Sequence, residues 1–352
     1  MLTGVCGRIR QSAVGGFQLK PVKKTRVKAT VCASATAFAM FGLAISGAAA
    51  ATYTTFDVPE STLTEPAAIN DNGDVVGVYF PSAGGFFTGF LRASDGTFTS
   101  ISVPNSGDTS ASAISSKGVI AGSWDDLFGS YGFVRKPSGK ISTIDRGERD
   151  TGGLRINDSG EVAGNFTDER GAEKGFVRPV GERFKGFGVK GAFLTRVAGI
   201  NSAGAVIGYF VDASAKYVGF VRAADGTVTK FRVSRAPMTM PVAINDSGAI
   251  TVYYQNGDTF SGFVRSADGT IETFDPPSSL QTNPAAINRK GEIAGAWFDG
   301  SQFHSFVRSP NGKITSFDPP NAKGSQVNGI NSKGEIVGTW SDEHAHGYIR
   351  TP

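Results

Sequence analysis

One pattern returns seven times along the 352 residues of this chain, and that periodicity limits what the chain can fold into more than its composition does. Its first anchor is an isoleucine entering a turn: Ala68-Ile69-Asn70, Ala113-Ile114-Ser115, Arg155-Ile156-Asn157, Gly199-Ile200-Asn201, Ala243-Ile244-Asn245, Ala286-Ile287-Asn288 and Gly329-Ile330-Asn331. Successive isoleucines stand 42 to 45 residues apart. The second anchor is an arginine after Gly-Phe-Val or a close variant: Arg92, Arg135, Arg178, Arg222, Arg265, Arg308 and Arg350.

The copy from Ala286 to Pro320 shows how a unit divides into four short runs of strand composition. Asn288-Arg289-Lys290-Gly291 and Pro310-Asn311-Gly312 are turns, because a type I turn closing on a left-handed glycine makes the bulged hairpin that twisted strands accept. The runs 293–297, 303–308 and 313–317 are aromatic and β-branched with period two, and read as strands. Asp318-Pro319-Pro320 ends the last run, since proline has no N–H for a further ladder bond.

Four strands per unit at this period are the mark of a propeller blade, which cannot bury both faces without neighbours. An open β-solenoid is the competing architecture. The chain ends favour a ring. The seventh copy stops two residues after Arg350 without its fourth strand, and residues 53–59 supply one that matches 314–319. A strand donated in this way removes two sheet edges, where an open array would need polar caps. The sequence therefore predicts an all-β fold over residues 52–352: a monomeric seven-bladed β-propeller of four-stranded antiparallel blades, closed by the N-terminal strand pairing into the last blade.

The stretch before residue 52 reads differently. Arg8, Arg10, Lys20, Lys23, Lys24, Arg26 and Lys28 precede an alanine-rich apolar run at 29–47 and then Ala48-Ala49-Ala50. That order predicts a signal peptide over 1–50 and a protein that is secreted, periplasmic or on the cell surface. An uncleaved anchor is the competing reading, because residues 29–51 are long enough to span, although alanine drives insertion weakly. Removing the seven leader cations from the 35 basic residues leaves 28 against 31 acidic ones, a net charge of −3. The basic balance therefore belongs to the leader, and nucleic acid is not an expected partner. Cys6 and Cys32 also lie in the leader, so no disulfide, thiol chemistry or cofactor is expected of the mature chain.

The stretches I-N-x-x-G-x-[IV]-[AV]-G and [HG]-[GSA]-F-[VL]-R, here 330–338 and 346–350, resemble the HAF repeats of bacterial extracellular proteins. The resemblance covers the whole mature sequence and implies export and a propeller-like repeat fold, without implying an activity. The histidine of that family stands here only as His304 and His346, with Thr88, Tyr131, Lys174, Val218 and Ser261 in the other copies.

Three sets of residues are candidates for a site. The second strand carries the aromatics Tyr79, Trp124, Phe166, Phe210, Tyr254, Trp297 and Trp340, followed two positions on by Pro81, Asp126, Asp168, Asp212, Asn256, Asp299 and Asp342. These form either a sugar platform with an acidic rim or, as residues present in nearly every blade, interface fillers and turn starters. The arginines of the second anchor form the next set, with Arg308 facing Asp318 and Arg265 facing Asp275 as candidate pairs. The third breaks the symmetry. Arg183, Lys185, Lys190, Arg196, Lys216, Arg222, Lys230, Arg232 and Arg235 face only Asp212 and Asp225 between positions 183 and 240, a positive sector able to draw an anionic polysaccharide.

Other constellations are weaker. Residues 186–191 satisfy G-x-G-x-x-G, yet a repeat strand and no helix is expected to follow. His344 and His346 could share a zinc ion, but no third ligand is evident, and Asn70-Asp71-Asn72-Gly73-Asp74 is a hairpin turn without the final glutamate of a calcium loop. With no mature cysteine and three histidines, nucleophile and base pairings have few candidates, so no metal and no catalytic residue is assigned. The expectation is a non-catalytic binding or scaffold module for polysaccharide or an envelope protein. A polysaccharide lyase or hydrolase using axial carboxylates and a purely structural envelope protein are the alternatives. N-terminal sequencing of exported material is expected to begin at Ala51; recovery of Met1 would support the anchor instead.

Overall fold

The computed structural model describes residues 50–144 and 149–352, so the leader reading and both cysteines lie outside the described residues. The described elements are strands. In the unit read above, strands Gln281–Ile287, Ile293–Phe298, Phe303–Arg308 and Ile314–Phe317 pair antiparallel in sequence order. Three four-stranded sheets repeat that order, and two eight-stranded sheets are each two such groups, joined through the single parallel pair Leu63↔Ala345 or Phe260↔Gln281. Thr52–Phe56 pairs antiparallel with Ala345–Thr351, placing Thr55 opposite Tyr348, as the sequence predicts.

Each third strand buries one large ring, Phe90, Phe133, Phe176, Phe220, Phe263, Phe306 or Tyr348, all 0% exposed. A buried ring of this size contributes about 2–3 kcal/mol. In six copies a glycine of the second strand makes room for it, and in the fifth Val252 stands opposite Phe263. A Cβ on Gly208 would stand 1.9 Å from the Arg196 carbonyl and 2.9 Å from the Phe220 ring, so the backbones approach as closely as they do only with glycine there. Tyr348 departs from phenylalanine, and its hydroxyl bonds Ser305 Oγ at 3.0 Å, which in turn lies 2.6 Å from Ser325 Oγ. Ser325 Oγ donates to Asp318 at 2.6 Å, so a buried polar chain crosses between the last two groups of strands.

The first strands of successive groups are neighbours, and Gly324–Ile330 lies beside Ser61–Ile69. A buried asparagine at the end of six of the seven first strands ties them together. Asn288 Oδ1 accepts from the backbone of Lys290 and Glu292, both at 3.0 Å, which shapes its own hairpin turn. Its Nδ2 donates to the Asn331 carbonyl of the next group at 3.0 Å. The same donation runs from Asn157 to Asn201, Asn201 to Asn245, Asn245 to Asn288, and Asn331 to Asn70. Asn70 donates to Ser115, the one copy without asparagine, where the onward tie is Ser116 N to Asp158 Oδ1 at 2.8 Å.

The anchor arginines correct an expectation. Arg308 does not meet Asp318; it pairs with Glu272 and lies over the Phe274 ring at 5.1 Å, both from the preceding group. Arg265 likewise lies over Phe231 at 5.0 Å, while Asp275 accepts from Thr282. Arg92 over Phe56, Arg222 over Phe187 and Arg350 over Phe317 follow the same rule. The arginine leaves its own group of strands because the outer strand of the preceding group offers an aromatic face. Its Nη1 also reaches the next carbonyl, as from Arg265 to Ser266 at 3.2 Å.

Asn245→Ala leaves the buried Asn288 carbonyl, the Ala249 N–H and the Ser247 hydroxyl without this partner, and is expected to lower unfolding free energy by roughly 2–3 kcal/mol. Asn245→Ser, the residue at Ser115, should cost less. Urea denaturation of both variants checks the order.

Candidate functional site

The first strands carry bulges, and in five of them the pairing skips one residue between Pro66 and Ala68, Ala111 and Ala113, Pro241 and Ala243, Pro284 and Ala286, and Val327 and Gly329; a sixth likewise skips Ala198, and Arg149–Ile156 skips two residues between Gly152 and Arg155. A bulge re-aims the extra residue. The extra residues Ala67, Ser112, Val242, Ala285 and Asn328 all line one cavity of about 930 Å³ enclosed by the first strands. Glu65, Asn283, Lys323 and Gln326 line it towards the starts of those strands, with Tyr253, Phe298 and Trp340 from the second strands.

At the other end of the first strands the passage narrows to about 180 Å³, lined by the anchor isoleucines and asparagines. Arg289 seals it. Its guanidinium pairs with Asp158 and stands 3.0 Å from Asp246, two groups that carry negative charge into the same ring. The wide end is the one that can admit a ligand. At that same end the connections between second and third strands carry Phe86, Leu127 and Phe128, which are 62%, 98% and 88% exposed. Large apolar side chains left in water at loop tips mark a contact surface.

Arg155 enters the wide cavity from a position that sequence reading did not single out. Its Nε donates to the Ala198 carbonyl at 3.0 Å and its Nη1 to the Leu154 carbonyl at 3.1 Å. Burial pulls its pKa below the ordinary arginine value. Alignment of the repeats carries the signal for it, because the residue before the anchor isoleucine is alanine or glycine in every other copy.

The basic sector is divided between inner and outer strands. Lys185 and Lys230 stand on the outer strands Lys185–Phe187 and Val228–Phe231, and Arg183, Lys190, Arg232 and Arg235 flank them, all exposed. Lys185 meets Glu182 at 3.1 Å and Lys230 lies over Phe210 at 4.7 Å. Arg196 alone is on a first strand, where Glu173 at 2.7 Å and Tyr209 at 3.3 Å raise its pKa and occupy it.

The aromatic and acidic residues serve their own sheets. Trp124 stacks on Tyr131 at 4.5 Å, Trp297 packs on His304 at 4.9 Å and Trp340 on His346 at 4.6 Å, so one face of each indole is covered. Asp126, Asp299 and Asp342 accept from backbone N–H groups of the connection that follows them, those of Gly129, Gln302 and His344 among them. His304 is held at both nitrogens, by Asp318 at 2.6 Å and Asp299 at 3.2 Å. His346 is held likewise by Asp57 at 3.0 Å and Asp342 at 3.2 Å, which ties the N-terminal strand's end to the last group and leaves neither nitrogen for zinc. Among the described residues no three histidine, cysteine, aspartate or glutamate side chains converge to hold a metal.

The sequence matches no family model and no curated protein. Solved structures do match. A catalytically inactive virginiamycin B lyase from Staphylococcus aureus, bound to quinupristin, superposes with a TM-score of 0.59 at 15% identity, over 86% of this chain and 100% of that one. The β-propeller domain of the Trilobed protease from Pyrococcus furiosus, described as an open velcro topology, gives 0.62 at 11% identity over 82% and 92%. YCF48 bound to D1 peptide gives 0.56 at 11% identity over 85% and 97%. At these identities the likeness shows the β-propeller fold alone.

Burial opposes a charge on His304 and His346, yet their paired aspartates outweigh it and raise both pKa values; the backbone N–H groups of His344 and Glu343, and then the His346 bond, hold Asp342 down to about 2. A raised histidine pKa stabilises the fold fully below the unfolded value of about 6.5 and is lost as pH climbs through the folded value. The protein is therefore expected to melt about 2 °C higher at pH 6 than at pH 9 from this cause. Calorimetry should show that difference shrink in His304→Gln/His346→Gln.

Proposed function

We propose that this chain is an exported, monomeric, closed seven-bladed β-propeller of the HAF-repeat kind, acting as a non-catalytic binding module for polysaccharide or protein at the bacterial envelope. The observation that carries the reading is the axial cavity, sealed by Arg289 at one end and open at the other among exposed apolar loop tips. A rigid ring with variable connections at one face suits recognition. The fourfold grouping of strands, the ring of asparagine links and the pairing of Thr52–Phe56 with Ala345–Thr351 support closure. No helix of the described residues is long and apolar enough to cross a membrane.

The lining argues for binding over turnover. Glu65 is its one carboxylate among the described residues, and no histidine or cysteine stands there. Burial and the neighbouring Tyr209 raise the pKa of Tyr253, which keeps its phenol protonated and unsuited to take a proton at neutral pH.

The test is retention of the exported protein on immobilised glycan polymers and envelope proteins, scored for product as well as binding. Ser112→Trp, which fills the cavity from a bulge position, is expected to weaken retention about tenfold or more with no product from either protein. Product formation abolished by Glu65→Gln would replace the module with a lyase or hydrolase. Retention unchanged by Ser112→Trp would move the partner off the axis.

A further inference from the structure

We infer that Arg155 makes the axial cavity a carboxylate site and that its ligand is an oligosaccharide containing uronic acid; the inference rests on the binding-module reading. It begins with a break in the repeat. The equivalent positions hold Ala68, Ala113, Ala243 and Ala286, or Gly199 and Gly329, so the fold is built without an arginine there. A side chain that six copies lack is free to serve something other than the blade.

The guanidinium is placed for an anion. It lines the 930 Å³ cavity, gives two donors to the Ala198 and Leu154 carbonyls, and among the described residues is paired with no carboxylate. Arginine has five N–H donors, so three of them remain for a ligand. A charge drawn from water and held by carbonyls alone is incompletely compensated, and a bound carboxylate would complete it through charge-assisted bonds.

The rest of the lining selects among anions. Glu65 and Lys323 oppose one another in charge, leaving one positive group deeper in the cavity. That balance fits a single carboxylate per bound segment better than a phosphate or sulfate polymer of high charge. Asn283 and Gln326 present amides that can donate to and accept from sugar hydroxyls, and Tyr253 offers an aromatic ring for a sugar face. Helical or metal-bound recognition of phosphate has no counterpart in this lining.

Titration calorimetry on the whole exported protein tests the assignment with a short oligogalacturonate, its methyl ester as the neutral twin, and a peptide with a free C-terminal carboxylate. Arg155→Ala restores the residue of four other copies and should fold, which melting confirms; Arg155→Lys keeps the charge without the fork. The acid form is expected to bind, with the ester and Arg155→Ala each weaker by about tenfold or more and Arg155→Lys in between. Equal binding of acid and ester, or acid binding unaffected by Arg155→Ala, overturns the carboxylate assignment, and Ser112→Trp then shows whether the cavity itself still binds. Arg155-dependent capture of the peptide in place of the uronate overturns the sugar assignment. A large fall in melting temperature in both Arg155 variants makes the residue structural and overturns the inference.

Discussion

The amide of the asparagine that ends six of the seven first strands is the constraint on which the arrangement of these sheets depends. Its oxygen organises the local hairpin and its nitrogen reaches the carbonyl of the next group, as at Asn288. One side chain thereby couples the shape of a turn to the spacing between sheets, and both ends are buried where an unmade bond is costly. Where Ser115 replaces asparagine, the Ser116 N–H donation to Asp158 remains, a tie that Ser202 to Asp246 and Ser332 to Asp71 make beside their asparagines.

Around that ring the outer edges are joined by a second device of different chemistry. The anchor arginines lie over phenylalanines of the preceding outer strand, so a cation is shared between sheets through an aromatic face. Where the outer strand carries Ile101 or Ile144, the aromatic partner is missing from the pattern. The last two groups add the buried Tyr348, Ser305, Ser325 and Asp318 chain and the two doubly held histidines. Polar reinforcement is thus concentrated in the group that the N-terminal strand joins and in the one before it.

Function, on the reading proposed above, depends on the residues that break these rules. Arg289 stands where other copies have small or acidic residues and seals the narrow end against Asp158 and Asp246. Arg155 stands where they have alanine or glycine and charges the wide end. Each costs the repeat some regularity.

Much of the fold was legible in the sequence because its causes are local. Turn glycines, alternating aromatic and β-branched residues and the terminating prolines mark strands wherever they occur, and the missing fourth strand could be matched to residues 53–59 by pattern alone. The turn role of Asp126, Asp299 and Asp342 is equally local. Arg308 was misread because its partners, Glu272 and Phe274, belong to the preceding unit, while the nearer Asp318 is taken by His304 and Ser325. The basic run from Arg183 to Arg235 looked like one surface because neighbours in sequence were counted together, yet consecutive strands of a sheet run from inside to outside. Only the tertiary structure decided which side chains share the axis, since Glu65, Arg155, Asn283 and Gln326 meet there from separate units whose bulges face a common cavity.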